Sequence, residues 1–247
     1  VHDVNFQVRR GEVVGFTGLT GDGRTELFES IFGYRRGYTG DIYIDGQRRQ
    51  PRHPSDALAF GLGYVPKDRK ENAIIKDMSV LHNMTLASLR KFERWWLLDG
   101  RQERSQYEAY RRQLNLKASH PHLPMTSLSG GNQQKAVLAK WLLTDANVLI
   151  LDNPTQGVDI GAKAEIYQLI GDLAEQGRAI VALSTEVPEI LKICDRVYVM
   201  HRGAIVAELT RDEASEEQIL MLASGLAGGK AAGGAYANES VNPSTNS

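Results

Sequence analysis

The sequence predicts an α/β fold whose mostly parallel sheet carries its functional groups along one edge, and three observations predict it. An apolar run at 13–17 leads through a glycine-rich loop into a helical stretch at 26–32. A second run, 148–151, is continuous, branched and apolar, as expected of a parallel strand covered on both faces, and it delivers Asp152 at its C-terminal end. Beyond it a helical pattern (163–175), an apolar run (179–183), a short helix (188–193) and another run (196–200) continue a doubly wound alternation.

Composition sets the limits. With 247 residues, 42% hydrophobic and 24% charged, the chain can bury one large core or two modest ones. A formal net charge of -1 gives no general attraction for nucleic acid, which is not expected as a partner. Cys194 is the single cysteine, so it forms no intramolecular disulfide and reads as core filling. No apolar run approaches the roughly twenty residues that span a bilayer, so any membrane role is expected to be peripheral. The chain opens at Val1, just before an alternating stretch at 4–8 that reads as a strand, which suggests a fragment of a longer polypeptide.

In chain order, Gly11 turns the expected strand at 4–8 into the run at 13–17, and residues 18–25, GLTGDGRT, follow with the spacing of a phosphate-binding loop. Gly18, Gly21 and Gly23 let backbone wrap phosphates, Thr20 and Asp22 lie between them, and Thr25 offers a hydroxyl to Mg²⁺ before Glu26 continues the helix. Arg24 stands where the general motif has Lys. It keeps the charge on a longer, planar and differently aimed group.

Residues 40–46 read as a short strand and turn, and 62–66 as another core strand followed by Lys67 and the charged run Asp68, Arg69 and Lys70, a solvated loop on composition alone. From 78 to 112 the pattern is helical and polar. On a helix, adjacent Trp95 and Trp96 would face two sides, one ring in the core and the other free for a partner. Glu93, Asp99, Glu103 and Glu108 offset the basic residues there, which argues against RNA. His120 and His122 read as a rigid loop, not a metal site.

Ser129, Gly130 and Gly131 open a helix that runs on through 135–143. Its unsatisfied N–H groups, its dipole and the Ser129 hydroxyl suit a phosphate. After Asp152 come Asn153 and Asp159, and the later run at 179–183 is followed by Thr185. A hairpin at Arg202 and Gly203 leads into 204–209, a last helix covers 216–226, and 227–247, rich in Gly, Ala, Ser and Asn, is expected to be a disordered tail.

LSGGNQQK, followed by LILDNP and GVD, resembles the signature motif, Walker B strand and D-loop of ABC-type ATPases, with GLTGDGRT as the Walker A loop. The resemblance covers the chain to about residue 226. It implies a P-loop NTPase core with an antiparallel β subdomain and an inserted helical subdomain at about 78–135, so that 1–226 form one ABC ATPase domain. It also implies ATP and Mg²⁺ as ligands. Gly18, Thr20, Gly21, Asp22, Gly23, Arg24, Thr25 and Glu26 would hold nucleotide, with Lys67 aligned on the Q-loop Gln; Thr25 and Asp152 would hold the metal. Ser129, Gly130, Gly131, Asn132 and Gln133 would act across a head-to-tail interface on ATP held by another half, with Asp159 in the D-loop.

GRTEL, GYVPKDRK, SGGNQQK and GVDIGAK are similar to the second, C-terminal ATPase half of bacterial importers of monosaccharides of the ribose, galactose and xylose type. That implies an upstream ATPase half in the same polypeptide, membrane permease subunits, indirectly a sugar-binding protein, and a peripheral place on the cytoplasmic face of the plasma membrane. It also offers a second reading of Asp68, Arg69 and Lys70, as a docking surface for a permease coupling helix. An aromatic residue that stacks on adenine in such proteins would lie upstream of the first strand.

Four positions depart from the active pattern: Arg24, Lys67, Asn153 in place of the catalytic Glu, and Thr185 in place of the switch His. Lys cannot coordinate a cation, and an amide can orient water but has no useful basicity near neutral pH. Two readings therefore remain open. One is the ATP-binding domain of a sugar importer whose own site hydrolyses poorly; the other is a nucleotide-binding regulatory module without net hydrolysis. A soluble ABC protein of DNA repair or translation is disfavoured by the balanced charge.

Overall fold

The fold follows from strands that are apolar on both faces and therefore need cover on both. In a computed structural model describing residues 1–226, a six-stranded sheet runs in the order β10-β9-β1-β8-β7-β4. Its strands are β1 (Val13–Gly18), β4 (Leu62–Val65), β7 (Val148–Asp152), β8 (Ala179–Leu183), β9 (Arg196–His201) and β10 (Ala204–Thr210), parallel except for β10. Successive residues point to opposite faces, so each strand feeds two cores. Val13, Leu149, Leu151, Ile180, Ala182, Val197 and Val199 enter one, while Val14, Phe16, Ile150, Val181, Leu183, Tyr198 and Met200 enter the other.

The second core is closed by Phe28 of α1 (Arg24–Ile31), Phe32 and Ala57 of α2 (Pro54–Ala59), and beside it β2 (Ile42–Ile44) pairs with β3 (Gln47–Arg49) as an antiparallel ribbon. The first is closed by α4 (Val80–Thr85), α6 (Gly130–Leu142), α7 (Ile160–Glu175), α8 (Val187–Ile193) and α9 (Glu216–Ser224). Cys194 lies in this core, 1% exposed, and burial pushes its thiol up, as core filling requires. The chain passes from β8 over β1 to β9, so the loop after β1 sits at the point where strand order reverses. Open α/β sheets bind ligands there.

Two expectations fail. Residues 4–8 form no strand. Their alternation reports one packed face, with Phe6 edge-on to Phe16 at 5.0 Å. Their backbone is satisfied by side chains instead of a ladder: the Gln7 N–H donates to Tyr198 Oη at 3.4 Å, and Arg196 donates to the Gln7 carbonyl at 3.1 Å.

Nor is 78–112 a continuous helix. After α4 comes a 3₁₀ stretch, Leu86–Phe92, then a minimal hairpin of β5 (Glu93–Arg94) and β6 (Leu97–Leu98), and only then α5 (Gly100–Gln113), restarted by Asp99 accepting from the N–H groups of Arg101 and Gln102. Trp95 and Trp96 are the hairpin's turn, with φ of 51° and 70°, and neither ring enters the core. Two successive left-handed residues are what a two-residue turn of this hand demands, normally of Asn-Gly; bulky side chains there cost roughly 1 kcal/mol or more each. The expected tail at 227–247 lies outside the described residues, among which no helix is long and apolar enough to cross a membrane.

Candidate functional site

β1 is buried at every position and ends where the glycine loop begins. Thr20 and Gly21 are exposed, and nothing lies within 4 Å of where a Gly21 Cβ would be, so the loop's mouth is open. Gly23, at φ 96°, turns the chain into α1, and Glu26 lies exposed in that helix's first turn. Behind the mouth, Arg24 and Asp22 face each other. One Asp22 oxygen accepts the Arg24 backbone N–H at 3.1 Å, the other meets the guanidinium, and Arg24 Nη1 also donates to the Gly18 carbonyl at 3.1 Å. The Arg24 and Asp22 side chains are 6% and 4% exposed. Burial pushes the Asp22 carboxyl up, and the Arg24 charge pulls the other way without cancelling it.

Thr25 and Asp152 meet although 127 residues separate them: the Thr25 hydroxyl donates to Asp152 Oδ2 at 3.0 Å. Sequence reasoning missed Tyr64 of β4, whose hydroxyl donates to the same oxygen at 3.3 Å, while Asn153 Nδ2 donates to Oδ1 at 2.6 Å. Burial raises the Asp152 carboxyl against these hydrogen bonds, and burial together with Asp152 pushes the Tyr64 phenol up. Asn153 is held in the left-handed region at φ 47°, a conformation asparagine tolerates, with its N–H on the Leu183 carbonyl at 2.8 Å. Asp152 is fully buried, and the side chains bonded to it are neutral donors. A buried carboxylate oxygen beside a hydroxyl, hydrogen-bonded only to neutral donors and with the Arg24 charge acting on it from a distance, fits a hard divalent cation.

The signature end is assembled separately. Ser129 caps α6, its Oγ accepting from Asn132 Nδ2 at 2.9 Å, and Asn132 Oδ1 accepts the Lys117 N–H at 2.7 Å. Gln133 turns inward and donates to the carbonyls of Met125 (3.3 Å) and Leu128 (3.1 Å). The two glycines are needed by packing within this chain: a Cβ on Gly131 would lie 2.6 Å from Ala162 Cβ, and one on Gly130 would lie 2.7 Å from the Gly157 carbonyl oxygen. Asp159 caps α7, accepting the Ala162 N–H at 2.9 Å.

The charged run after β4 is not simply a solvated loop. Arg69 is 6% exposed and donates to the carbonyls of Gln156 and Gly157, while Asp68 caps the short helix α3 (Arg69–Asn72). Lys67 and Thr185 lie exposed just beyond the ends of β4 and β8, and neither is hydrogen-bonded to Thr25 or Asp152. A further centre carries no local sequence signal. Glu189 of α8 accepts from Thr155, from Lys163 Nζ at 2.7 Å, from Tyr167 at 2.8 Å and from Ser184 at 3.2 Å. Burial raises its carboxyl, but the bonds from Lys163, Thr155 and Tyr167 outweigh that and hold it below the usual range.

A profile of the family described as ABC transporter matches residues 1–156. A putative ribose/galactose/methyl galactoside import ATP-binding protein of Geobacillus kaustophilus is 46% identical over 224 residues, 91% of this chain and 44% of the relative. The xylose import ATP-binding protein XylG of Burkholderia ambifaria is 48% identical over 221 residues, 89% of this chain and 43% of the relative. The chain thus spans less than half the length of these curated relatives. Among solved structures, an ATP-binding cassette of an ABC transporter in its ADP conformation superposes with a TM-score of 0.74 at 21% identity, covering 90% of this chain and 91% of that one. A dimeric bacterial ABC transporter cassette gives 0.71 at 21% identity, covering 84% and 89%. This likeness fixes the fold as that of an ABC cassette, a P-loop ATPase core. With residues 1–156 matched by the profile and the loop, the strand-end aspartate and the capped signature helix all in place, the chain belongs to the ABC transporter family.

Proposed function

We propose that residues 1–226 form an ATP-binding domain of a monosaccharide importer, corresponding to the second ATPase half of a tandem protein. The observation that carries the nucleotide site is the Thr25–Asp152 contact at 3.0 Å beside an open glycine loop. The sugar reading rests on relatives whose names specify import of ribose, galactose or xylose. In this reading the chain sits peripherally on the cytoplasmic face of the membrane, with an upstream ATPase half, permease subunits and, indirectly, a sugar-binding protein as partners.

The backbone N–H groups of the loop and the start of α1 would receive the phosphates, and Thr25 and Asp152 would hold Mg²⁺. When bound, that ion would neutralise negative charge on the phosphates. Asp152 is kept in place by Tyr64 and Asn153. Asn153 spends an amide N–H on Asp152 and offers no base for an attacking water, so hydrolysis at this chain's own loop is impaired. Ser129, exposed at the cap of α6, is left to complete a site on the other half. The non-hydrolytic regulatory module shares the first part of this reading and differs only in having no active partner site.

The test is titration with a fluorescent ATP analogue, with and without Mg²⁺, alongside phosphate release. Expected are Mg²⁺-dependent binding lost in Asp152→Ala, little turnover by the chain alone, and turnover raised by Asn153→Glu. Binding indifferent to Asp152 and Mg²⁺ would falsify the assignment. Brisk turnover by the unaltered chain would overturn the impaired-site reading.

A further inference from the structure

The hairpin at 93–98 presents Trp95, Trp96, Leu97 and Leu98 to solvent at 83%, 92%, 75% and 55% exposure, the densest run of exposed large apolar side chains among the described residues. In the sequence, four acids balance the basic residues around it. The structure turns three of them to contacts of their own. Glu103 is buried and accepts from the Thr85 hydroxyl at 2.5 Å, Asp99 is spent on capping α5, and Glu108 is paired with Arg111 at 2.9 Å. Lys91 is likewise paired, with Asp145.

Exposed around the hairpin are Arg90, Arg94, Arg101 and Arg104 against Glu93 alone. None of the four arginines has an ion-pair partner among the described residues. The hairpin is closed by the Asp99 N–H on the Phe92 carbonyl at 2.7 Å, which brings the 3₁₀ stretch ending at Phe92 beside the first turn of α5. Arg101 and Arg104 are three apart on that helix and share a face.

From this arrangement we propose that the hairpin is a membrane-surface anchor: its Trp-Trp-Leu-Leu tip enters the interfacial layer of an anionic bilayer, and the arginine collar binds the lipid headgroup phosphates. Trp is suited to that layer because its ring is apolar and its N–H polar, and basic residues flanking an apolar tip are drawn to anionic lipid. Both Trp residues occupy left-handed turn positions that Asn-Gly would fill with less strain, so local folding does not account for them. A protein groove would match the apolar tip as well, but would need acidic residues of its own placed against each of four unpaired arginines, whereas an anionic bilayer offers phosphates all round the tip. The proposal is independent of the nucleotide site.

The test is co-sedimentation of the full chain with vesicles of phosphatidylcholine alone and of phosphatidylcholine with phosphatidylglycerol, at low and high salt, with tryptophan emission read in parallel. Expected is uptake by the phosphatidylglycerol vesicles only, weakened by salt and accompanied by a blue shift, since Trp141 is the one other Trp and is already partly buried. Arg94→Ala with Arg101→Ala should weaken uptake roughly thirtyfold. Trp95→Asn with Trp96→Gly should abolish it while leaving thermal stability equal or higher, because the turn is then relaxed. No uptake by anionic vesicles, or uptake unchanged in the Asn-Gly variant, overturns the proposal. Association with native membranes that protease stripping abolishes, with no uptake by pure lipid, overturns it in favour of a protein partner.

Discussion

Asp22 and Arg24 make the glycine loop self-neutralised, and replacing Asp22→Asn tests what that does to nucleotide binding. The pair is 4% and 6% exposed, so the guanidinium loses a buried counter-charge and keeps only the Gly18 carbonyl at 3.1 Å. Breaking one side of a buried pair costs about 3–5 kcal/mol. The exposed mouth at Thr20 and Gly21 admits water, which brings the expected loss to about 2–3 kcal/mol. For a domain of this size that lowers Tm by about 5–10 °C. A triphosphate in the loop supplies the missing negative charge and recovers part of that loss, roughly 1.4–2.8 kcal/mol, which is tenfold to a hundredfold tighter binding. Differential scanning fluorimetry with and without Mg-ATP, and titration with a fluorescent analogue, read the two quantities. A variant that is less stable alone, yet binds nucleotide no more tightly than the original, would refute the reasoning, because Arg24 would then not be released to a phosphate.

Two further outcomes are expected from groups away from the loop. Lys140 is 8% exposed, donates to the Ala73 carbonyl, and burial lowers its amine to about 8 from an ordinary 10.5. Between those values the unfolded chain binds more protons than the folded one, so stability rises with pH: the penalty is full below pH 8 and fades towards 10.5. Urea midpoints for the chain and for Lys140→Met should therefore converge or cross by about 2.5 kcal/mol between roughly pH 7 and 10; parallel curves would count against a buried, depressed amine. Gly131→Ala places a Cβ 2.6 Å from Ala162 Cβ and should destabilise by about 1–3 kcal/mol, with Ala162→Gly restoring most of it. No rescue in the double variant would mean that α6 and α7 are not in contact as described.

What was legible in the sequence is what depends on neighbours along the chain. Residues 13–17 and 148–151 read as strands because each is apolar on both faces, and the loop and Asp152 follow directly from their ends. The Thr25–Asp152 contact follows from the rule that parallel sheets present their loops at one edge. Arg69 shows why the rest was hidden. Beside Asp68 and Lys70 it reads as solvated, and only the fold brings it to carbonyls 87 and 88 residues away. The Trp pair was misplaced for a different reason: polar periodicity cannot tell a helix from a helix broken by a short hairpin. Charge balance around that hairpin misled in the same way, because counting acids does not reveal which are consumed by caps and buried hydrogen bonds.

The structure also joins motifs that the sequence keeps apart. Arg69, just after β4, holds the carbonyls of Gln156 and Gly157, and the same Gly157 carbonyl leaves no room for a Cβ on Gly130 at the start of α6. Thr155, one residue from that turn, bonds Glu189, which also takes Lys163 of α7 and Ser184 at the end of β8. The segments after β4, β7 and β8 and the start of α6 are therefore in direct contact, through the buried side chains of Arg69, Thr155, Ser184 and Glu189. Packed interiors respond to displacement as units and do not deform smoothly. The Thr25–Asp152 site is tied to this block through Asn153, whose N–H is held by the Leu183 carbonyl and whose side chain reaches Asp152. Asn153 thus contacts both the Asp152 carboxylate and the Leu183 carbonyl at the end of β8, next to Ser184 and its bond to Glu189.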